Sequence, residues 1–436
     1  MEIKPFKAFR YNRDVVCDAG RCIAPPYDVI SDVQQEELYK KSEYNIVRIT
    51  KGKTKSSDDA ADNKYTRAAE YFNVWLKTGV LKQDSTESIY AYIQDFQVAG
   101  ADFQRSSFIA LGKLEEFGKI VKPHEQTLDG PKIDRLNLQR ATAAVFGLVF
   151  MLYEDGQNIA GKIIKDAASR EALIDFVDEQ NVRHRLFAIT SKDNIDKIAK
   201  MMVNKSCIIA DGHHRYETAL NYYKETSNSA AAYQMTAFVN TCHDGLLILA
   251  THRLVGNLKG FCLGKFIESL KEKFEIREYR YDSSKSKEDA KQKMLSQMKI
   301  EHALDKNAFG LYGGNNTFYV AVLKNKRAMD SVAPGKSRAW KSLDVSVLHR
   351  LIMEGLLGIG EKQLANESNI EYIKDTGGAV DESIEKVDAG QKQVVFFMNT
   401  VKMRQLKMVT DAGEKMPQKS TFFYPKMYTG LTINKF

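Results

Sequence analysis

Long apolar runs are missing from this sequence: none approaches the roughly 18 consecutive residues that a membrane-crossing helix needs. The opening Met1-Glu2-Ile3-Lys4-Pro5-Phe6 lacks the apolar core of a secretory signal, so the expected location is the cytoplasm, with no membrane partner. Cysteine is scarce. Cys17, Cys22, Cys207, Cys242 and Cys262 form no Cys-x-x-Cys pair, and their odd number argues against a disulfide framework. Cys207 sits in an apolar stretch and reads as a small core residue. Zinc-finger spacing, RNA-binding aromatic signatures and a clear helix-turn-helix are all absent, which argues against nucleic acid as a partner. There is no Gly-x-x-x-x-Gly-Lys-Ser/Thr loop, no kinase-type glycine-rich loop and no Gly-x-Ser-x-Gly elbow. Any nucleotide site must therefore be of another kind, and nucleophilic-elbow chemistry is excluded. Internal repeats and low-complexity stretches are also lacking.

What is present is the composition of a globular protein: 436 residues, 43% hydrophobic and 28% charged, long enough for two or three domains. The net charge of +8 is modest and spread out. It suits small phosphorylated or carboxylated metabolites. Three blocks are expected: an N-terminal α/β region over 1–105, a core over 106–255, and an α+β block over 256–436. In the first block, Ser31 can cap a helix, 45–49 reads as a strand, and Ala61, Tyr65, Ala68, Phe72 and Trp75 recur at helical spacing over 58–77. Strands at 88–98 and 107–114 suggest a hairpin around Gly100. The core alternates strands (148–153, 185–189, 235–240) with helices near 159–177 and 193–203, an α/β pattern with some parallel pairing. The last block carries helices at 263–274, 287–299 and 343–356 and strands at 276–281, 317–323 and 394–398.

The most informative stretch is Cys207-Ile208-Ile209-Ala210-Asp211-Gly212-His213-His214-Arg215-Tyr216. Its apolar start reads as a buried strand, Asp211-Gly212 as a break, and His213 onward as a helix. A strand that turns sharply into a helix leaves backbone N–H groups at the helix start, where an anion is welcome. Arg215 can hold a phosphate through two parallel hydrogen bonds. Upstream, the loop Pro123-His124-Glu125-Gln126-Thr127 offers Glu125 as a carboxylate base. Near the end, Lys419, Ser420 and Thr421 lie in a proline-bounded loop that looks held over a site. These residues allow phosphoryl transfer, which needs a phosphate cradle, a cation and a base. They also allow metal-dependent hydrolysis, with His213, Asp211 and His252 as ligands and Glu125 activating water, although the spacing matches no familiar metalloprotease signature.

The motifs Ala24-Pro25-Pro26-Tyr27-Asp28-Val29-Ile30-Ser31, His124-Glu125-x-Thr127, Lys132-x-Asp134-Arg135, the Asp211–Tyr216 turn, Thr251-His252-Arg253 and Gly413-Glu414-x-Met416-Pro417-Gln418-Lys419-Ser420-Thr421 carry a resemblance. Over essentially its whole length the chain resembles a bacterial family of unknown function, numbered 1015. It departs from that family's pattern at Ala250, where proline is usual. More distantly, the middle block resembles the ParB/sulfiredoxin superfamily, in particular its free-serine kinases. There a Pro-His-Glu segment supplies a glutamate base and an Asp-Gly-His-His-Arg turn holds nucleotide phosphates. Both elements occur here in the same order, at a wider separation that implies an insertion.

The resemblance implies a ParB/sulfiredoxin-like α/β core with an N-terminal extension and a C-terminal α+β domain. It implies a kinase-like enzyme that moves phosphate between a nucleotide and free serine, with ATP, ADP or another nucleoside phosphate and Mg2+. Glu125 and Asp211 would be catalytic. Gly212, His213, His214 and Arg215 would bind phosphates. Asp28, His124, His252, Arg253, Lys419, Ser420 and Thr421 would bind substrate or close the site. The expected alternatives are a metal-dependent phosphatase acting on phosphoserine and a non-enzymatic nucleotide-binding switch or adaptor. Glu125, Asp211, His214 and Arg215 are expected around one pocket, with Asp28 and the Lys419 loop at its wall or lid; a homodimer is compatible with all of this.

Overall fold

The structure, a computed structural model, describes residues 1–125, 129–360, 363–364 and 368–436. Thr127 of the His-Glu-x-Thr motif lies outside the described residues. The protein is mixed α/β and divides into two compact units. The first comprises Met1–Pro123, Thr127–Leu246 and Pro425–Phe436; the second comprises His124–Gln126 and Leu247–Tyr424.

The first unit is built on a nine-stranded sheet. Its spatial order is Val121–Pro123, Cys207–Asp211, Val149–Tyr153, Tyr233–Asn240, Ala101–Lys113, Ile89–Val98, Arg183–Ile189 and Ile174–Val177, with Ile3–Lys4 beside Ala101–Lys113. Two of its pairings are parallel, Cys207–Asp211 with Val121–Pro123 and Tyr233–Asn240 with Val149–Tyr153. The Val149–Tyr153 strand is apolar at every position and buried throughout, as a central strand covered on both faces must be. On the helix Ile159–Ala167, Ala160, Ile163, Ile164 and Ala167 recur on one face and enter the core.

These units do not follow the three blocks expected from the sequence. The 105/106 boundary falls inside the Ala101–Lys113 strand, which pairs along its length with Ile89–Val98. Ile89–Val98 in turn pairs with Arg183–Ile189, so a ladder of backbone hydrogen bonds joins the first block to the second. The C-terminal segment also returns to the first unit. Arg105, 1% exposed, donates to the Pro425 carbonyl, Gln94 Nε2 donates to the Lys426 carbonyl at 2.9 Å, and Asn434–Lys435 pairs with Ala144–Val145.

The second unit carries a six-stranded sheet, in the order Phe274–Arg280, Thr317–Leu323, Ala308–Tyr312, Val394–Phe397, Thr251–Val255 and Ile370–Lys374, every pairing antiparallel. The helices Ser284–Ala303 and Ala379–Asp388 pack their Met294, Met298, Ile384 and Val387 against it. This is the α+β arrangement expected of the last block.

Local chemistry explains where the sequence reading succeeded and failed. Ser31 caps the helix Asp32–Lys41 in a reciprocal capping box with Gln34. Residues 45–49, expected as a strand, instead enter the helical turn Val47–Thr50. Asn45 Oδ1 accepts from Val47 N–H at 3.0 Å, and this cap overrides the β-branched composition. The expected helix near 159–177 stops at Ala167, and Ile174–Val177 is a strand. Asp178 Oδ1 accepts from the N–H groups of Gln180 and Val182, closing a hairpin turn to Arg183–Ile189. The expected helix over 343–356 is α-helical only over Asp344–Val347 and continues as a π-helix over Leu348–Glu354.

Candidate functional site

The Asp211–Arg215 turn has the form the residue types predict. The strand Cys207–Asp211 ends at Asp211, Gly212 takes a left-handed φ of 87°, and the helix His213–Thr226 begins at once. A Cβ on Gly212 would lie 3.0 Å from Arg215 Nε, so glycine serves both the turn and the close approach of the guanidinium. The first intrahelical bond runs from Tyr216 N–H to the Gly212 carbonyl at 2.9 Å. His213 is buried and His214 half-buried.

Asp211 is the electrostatic centre of this turn. It accepts from Arg215 Nη2 at 2.6 Å and from Lys426 Nζ at 2.5 Å. Burial alone would raise its pKa, but the two cations outweigh it and hold the carboxyl well below the usual carboxylate range. Asp211 is therefore a permanent anion that orders two cations, and a proton acceptor only in a formal sense. Arg215 Nη1 also donates to the Leu148 carbonyl. The guanidinium is thus fixed by two protein acceptors, an arrangement that differs from the simple two-bond grip on phosphate expected from the sequence. Lys426 was missed by the sequence reading. The signal in the sequence was indirect: an aspartate at the end of an apolar strand beside a single arginine invites a second cation.

A cavity adjoins this turn in the first unit. Tyr27, Arg135 and Arg215 line it, and Arg135 lies over the Tyr27 ring at 3.9 Å. Burial pushes the Tyr27 phenol up to about 12. Asp28, expected at the wall, is exposed, and its neighbour Tyr27 takes that place. Asp134 accepts from Lys64 at 2.6 Å, from Tyr65 Oη at 2.9 Å and from Arg135 Nε at 2.9 Å. Against the effect of burial, Arg135 and Lys64 lower it to about 2. Asp134 and Arg135 of the Lys132-x-Asp134-Arg135 motif thus form a fixed charge network with Lys64, while Lys132 pairs with Glu217 at 3.2 Å.

The second unit gathers most of the other expected residues. His124 Nε2 and Thr421 Oγ1 are hydrogen-bonded at 2.7 Å, and the His124 carbonyl accepts from Met416 N–H at 2.8 Å. Glu125 Oε1 accepts from Lys419 N–H at 3.2 Å, with Lys419 at a left-handed φ of 56°. Ser420 Oγ donates to the Pro417 carbonyl within the same loop. Arg253, 2% exposed, donates to the Lys419 carbonyl at 2.8 Å and to the Thr251 carbonyl. Burial lowers this guanidinium to about 10.

His252, expected to bind substrate, is a buried strand residue. Its Nδ1 accepts from Met398 N–H at 3.2 Å and its ring meets Phe397 edge-on at 5.3 Å. Burial lowers it to about 4, so it is a neutral imidazole. The residues expected around one pocket are divided between the units: Asp211, His214 and Arg215 belong to the first and Glu125 to the second. Among the described residues no three His, Cys, Asp or Glu side chains come together as metal ligands, and no helix is long and apolar enough to cross a membrane.

A family model described as "protein of unknown function (DUF1015)" matches residues 3–346. The chain belongs to this family. No curated protein matches it. Among solved structures it is similar to a mutant free serine kinase in complex with ADP, at 14% identity and a TM-score of 0.34, over 72% of this chain and 87% of that one. It is also similar to a conserved hypothetical protein from Pyrococcus furiosus, at 14% identity and a TM-score of 0.32, over 72% and 90%. A third is SbnI with C-terminal truncation from Staphylococcus aureus, at 8% identity and a TM-score of 0.32, over 75% and 87%. At these scores the likenesses support neither a ligand nor a reaction.

Proposed function

We propose that the protein transfers a phosphoryl group between a nucleoside phosphate and the hydroxyl of free L-serine. The observation that carries this reading is the Asp211–Arg215 turn: a strand, a left-handed glycine and a helix start, with Arg215 and Lys426 ordered by one half-buried aspartate. Helix-start amides and fixed cations favour the oxygens of a phosphate, and they are oriented before the ligand arrives. Gly212 to Arg215 hold the phosphates in this reading. Glu125 is the proposed base. It takes the serine hydroxyl proton as the serine oxygen bonds to phosphorus and the bond to the departing nucleoside phosphate breaks. Arg253 and the Lys419–Thr421 loop are proposed to recognise the serine carboxylate. His252 is proposed to share that role through Nε2, which has no hydrogen-bond partner among the described residues, while Nδ1 accepts from the Met398 amide.

Asp211 is held between two cations, so these residues do not form a magnesium site of their own. Magnesium suits the reading as a companion of the nucleotide, bound mainly through phosphate oxygens and water. The test is direct. Purified protein is incubated with magnesium, L-serine and a panel of nucleoside di- and triphosphates, and phosphoserine is followed by mass spectrometry. Phosphoserine formation supports the kinase reading. Phosphate release from phosphoserine without any nucleotide would replace it with a hydrolase, and nucleotide binding without turnover would replace it with a switch.

A further inference from the structure

We propose that the cavity walled by Tyr27, Lys64, Tyr65 and Arg135 is a second anion site, which takes a small phosphomonoester with an apolar or aromatic body. The proposal stands apart from the phosphoryl-transfer reading, in which the phosphates lie at the Asp211–Arg215 turn and neither Lys64 nor Arg135 has a part. The cavity lies wholly in the first unit. It measures about 300 Å³, the lower end of the range for small-molecule sites. Its walls come from Tyr27, the segment 49–52, and the first turns of the helices Lys64–Lys77 and Asp129–Thr142.

Cations outnumber anions in this wall: Lys51, Lys64 and Arg135 stand against Asp134. The Asp134 carboxylate is fully engaged. Its Oδ1 accepts from Lys64 and Tyr65, and its Oδ2 accepts from Nε and Nη2 of Arg135. One carboxylate thus faces two cations and leaves positive charge in excess beside them. Against the effect of burial, Asp134 raises the Lys64 ammonium above its ordinary value, so it stays charged. Arg135 Nη1 donates to the Thr50 carbonyl at 2.7 Å, which leaves one N–H on each terminal nitrogen of the guanidinium. Lys64 keeps 31% of its side-chain surface exposed and Arg135 12%, so neither is sealed from an incoming ligand. The Tyr27 ring lies against the guanidinium at 3.9 Å and fixes its orientation in advance.

The class of anion follows from the donors that remain. A planar carboxylate prefers the two-bond fork of a guanidinium. In Arg135 the Nε–Nη2 fork is filled by Asp134. What is left are single donors on two side chains that approach separately. A phosphomonoester, with a charge of about −2 and several acceptor oxygens, suits donors of that kind. Ile49, Leu138 and the rings of Tyr27 and Tyr65 make up much of the remaining wall, which suits an uncharged ester group. The site also gives a role to Tyr27 and to the Asp134-Arg135 pair, two motif elements that the proposed function leaves unused.

The experiment uses the full chain, with phenyl phosphate, inorganic phosphate and benzoate titrated by calorimetry. Phenyl phosphate is expected to bind the wild type more tightly than either of the others. Arg135→Met and Lys64→Met are each expected to weaken it about tenfold, as loss of a hydrogen bond to a charged group does. Lys53→Gln, which removes a cation paired with Glu36 outside the wall, should leave it unchanged, and so should Arg215→Ala. Each Met variant leaves Asp134 one cation, and urea unfolding checks that it folds. Should either fail to fold, protection of Lys64 from reductive methylation by phenyl phosphate in the wild type carries the test. No binding of phenyl phosphate by the wild type, unchanged affinity in the folded Met variants, or no protection of Lys64 overturns the site. Equally tight binding of benzoate overturns the phosphate class, and of inorganic phosphate the apolar body. An equal loss in Lys53→Gln would mean diffuse attraction to positive charge, and an equal loss in Arg215→Ala would assign the probe to the phosphate turn; either overturns the second site.

Discussion

In the first unit, Arg215 shares the carboxylate of Asp211 with Lys426. In the second unit, Arg253 lies deeper, with the carbonyl oxygens of Thr251 and Lys419 as acceptors and no carboxylate partner among the described residues. Its neighbours there are uncharged as well: burial lowers His252 to about 4 and His349 to about 3. The half-buried pair Arg215 and Lys426 is thus compensated by an anion, whereas the buried Arg253 is balanced by carbonyl dipoles and the face of Tyr372. A compensated cluster is rigid and costly to break at one member. A guanidinium held without a carboxylate is easier to remove, because its desolvation is never fully offset.

The largest expected effect is on turnover, and it asks whether the second unit contributes chemistry. Glu125→Gln should lower the rate of phosphoserine formation by about 10²–10⁴-fold while leaving nucleotide affinity nearly intact. Wild-type turnover in this variant would leave the second unit without a base. Next is stability. Asp211→Asn abandons two cations together and should cost about 3–5 kcal/mol, read by urea unfolding. Arg253→Met loses two hydrogen bonds to carbonyls but also removes an uncompensated charge, and should fall within about 1–2 kcal/mol of wild type. Equal losses in the two variants would erase the contrast between the units.

The pH dependence sharpens the same contrast. His252 has a folded pKa of about 4 against an unfolded value near 6.5. Between those values the unfolded chain binds more protons, so stability falls as pH is lowered through this window. His252 alone accounts for up to about 3 kcal/mol. His252→Asn keeps an acceptor for the Met398 amide and should flatten that part of the curve in urea titrations between pH 7 and 4.5. His349 acts in the same direction, as does His184 in the first unit, where burial outweighs the nearby Asp178. Asp211, held low by its cations, keeps its contribution throughout this window and loses it only below the ordinary aspartate range. A further effect is expected on binding. Arg215→Ala should weaken nucleotide affinity by about 1.5–3 kcal/mol by calorimetry, and an unchanged affinity in the folded variant would remove the phosphate turn.

Much of the local structure was legible before any fold was known. The Ser31 cap, the hairpin around Gly100 and the Asp-Gly-His-His-Arg turn each depend on residues close together in the chain. Where reading failed, as at 45–49 and 174–177, one Asn or Asp side chain accepting from nearby amides outweighed composition. The site was legible only in parts. The motif around Lys419 to Thr421 was singled out for its polarity, and the structure brings it to His124 and Glu125.

By itself, then, the sequence determined what is set within a few residues: which segments are helices or strands, where glycine must take a left-handed φ, and which turn offers amides to an anion. Backbone sterics, capping and apolar periodicity act over that range and need no knowledge of the rest of the chain. Only the tertiary structure decided which charges meet. Lys426 reaches Asp211 across 215 residues of chain, the block boundary expected at 105/106 falls inside the Ala101–Lys113 strand, and His252 is buried as a neutral imidazole. The physical reason is that a buried charge must find a partner or be neutralised, and the path of the folded chain determines which residue stands close enough to serve.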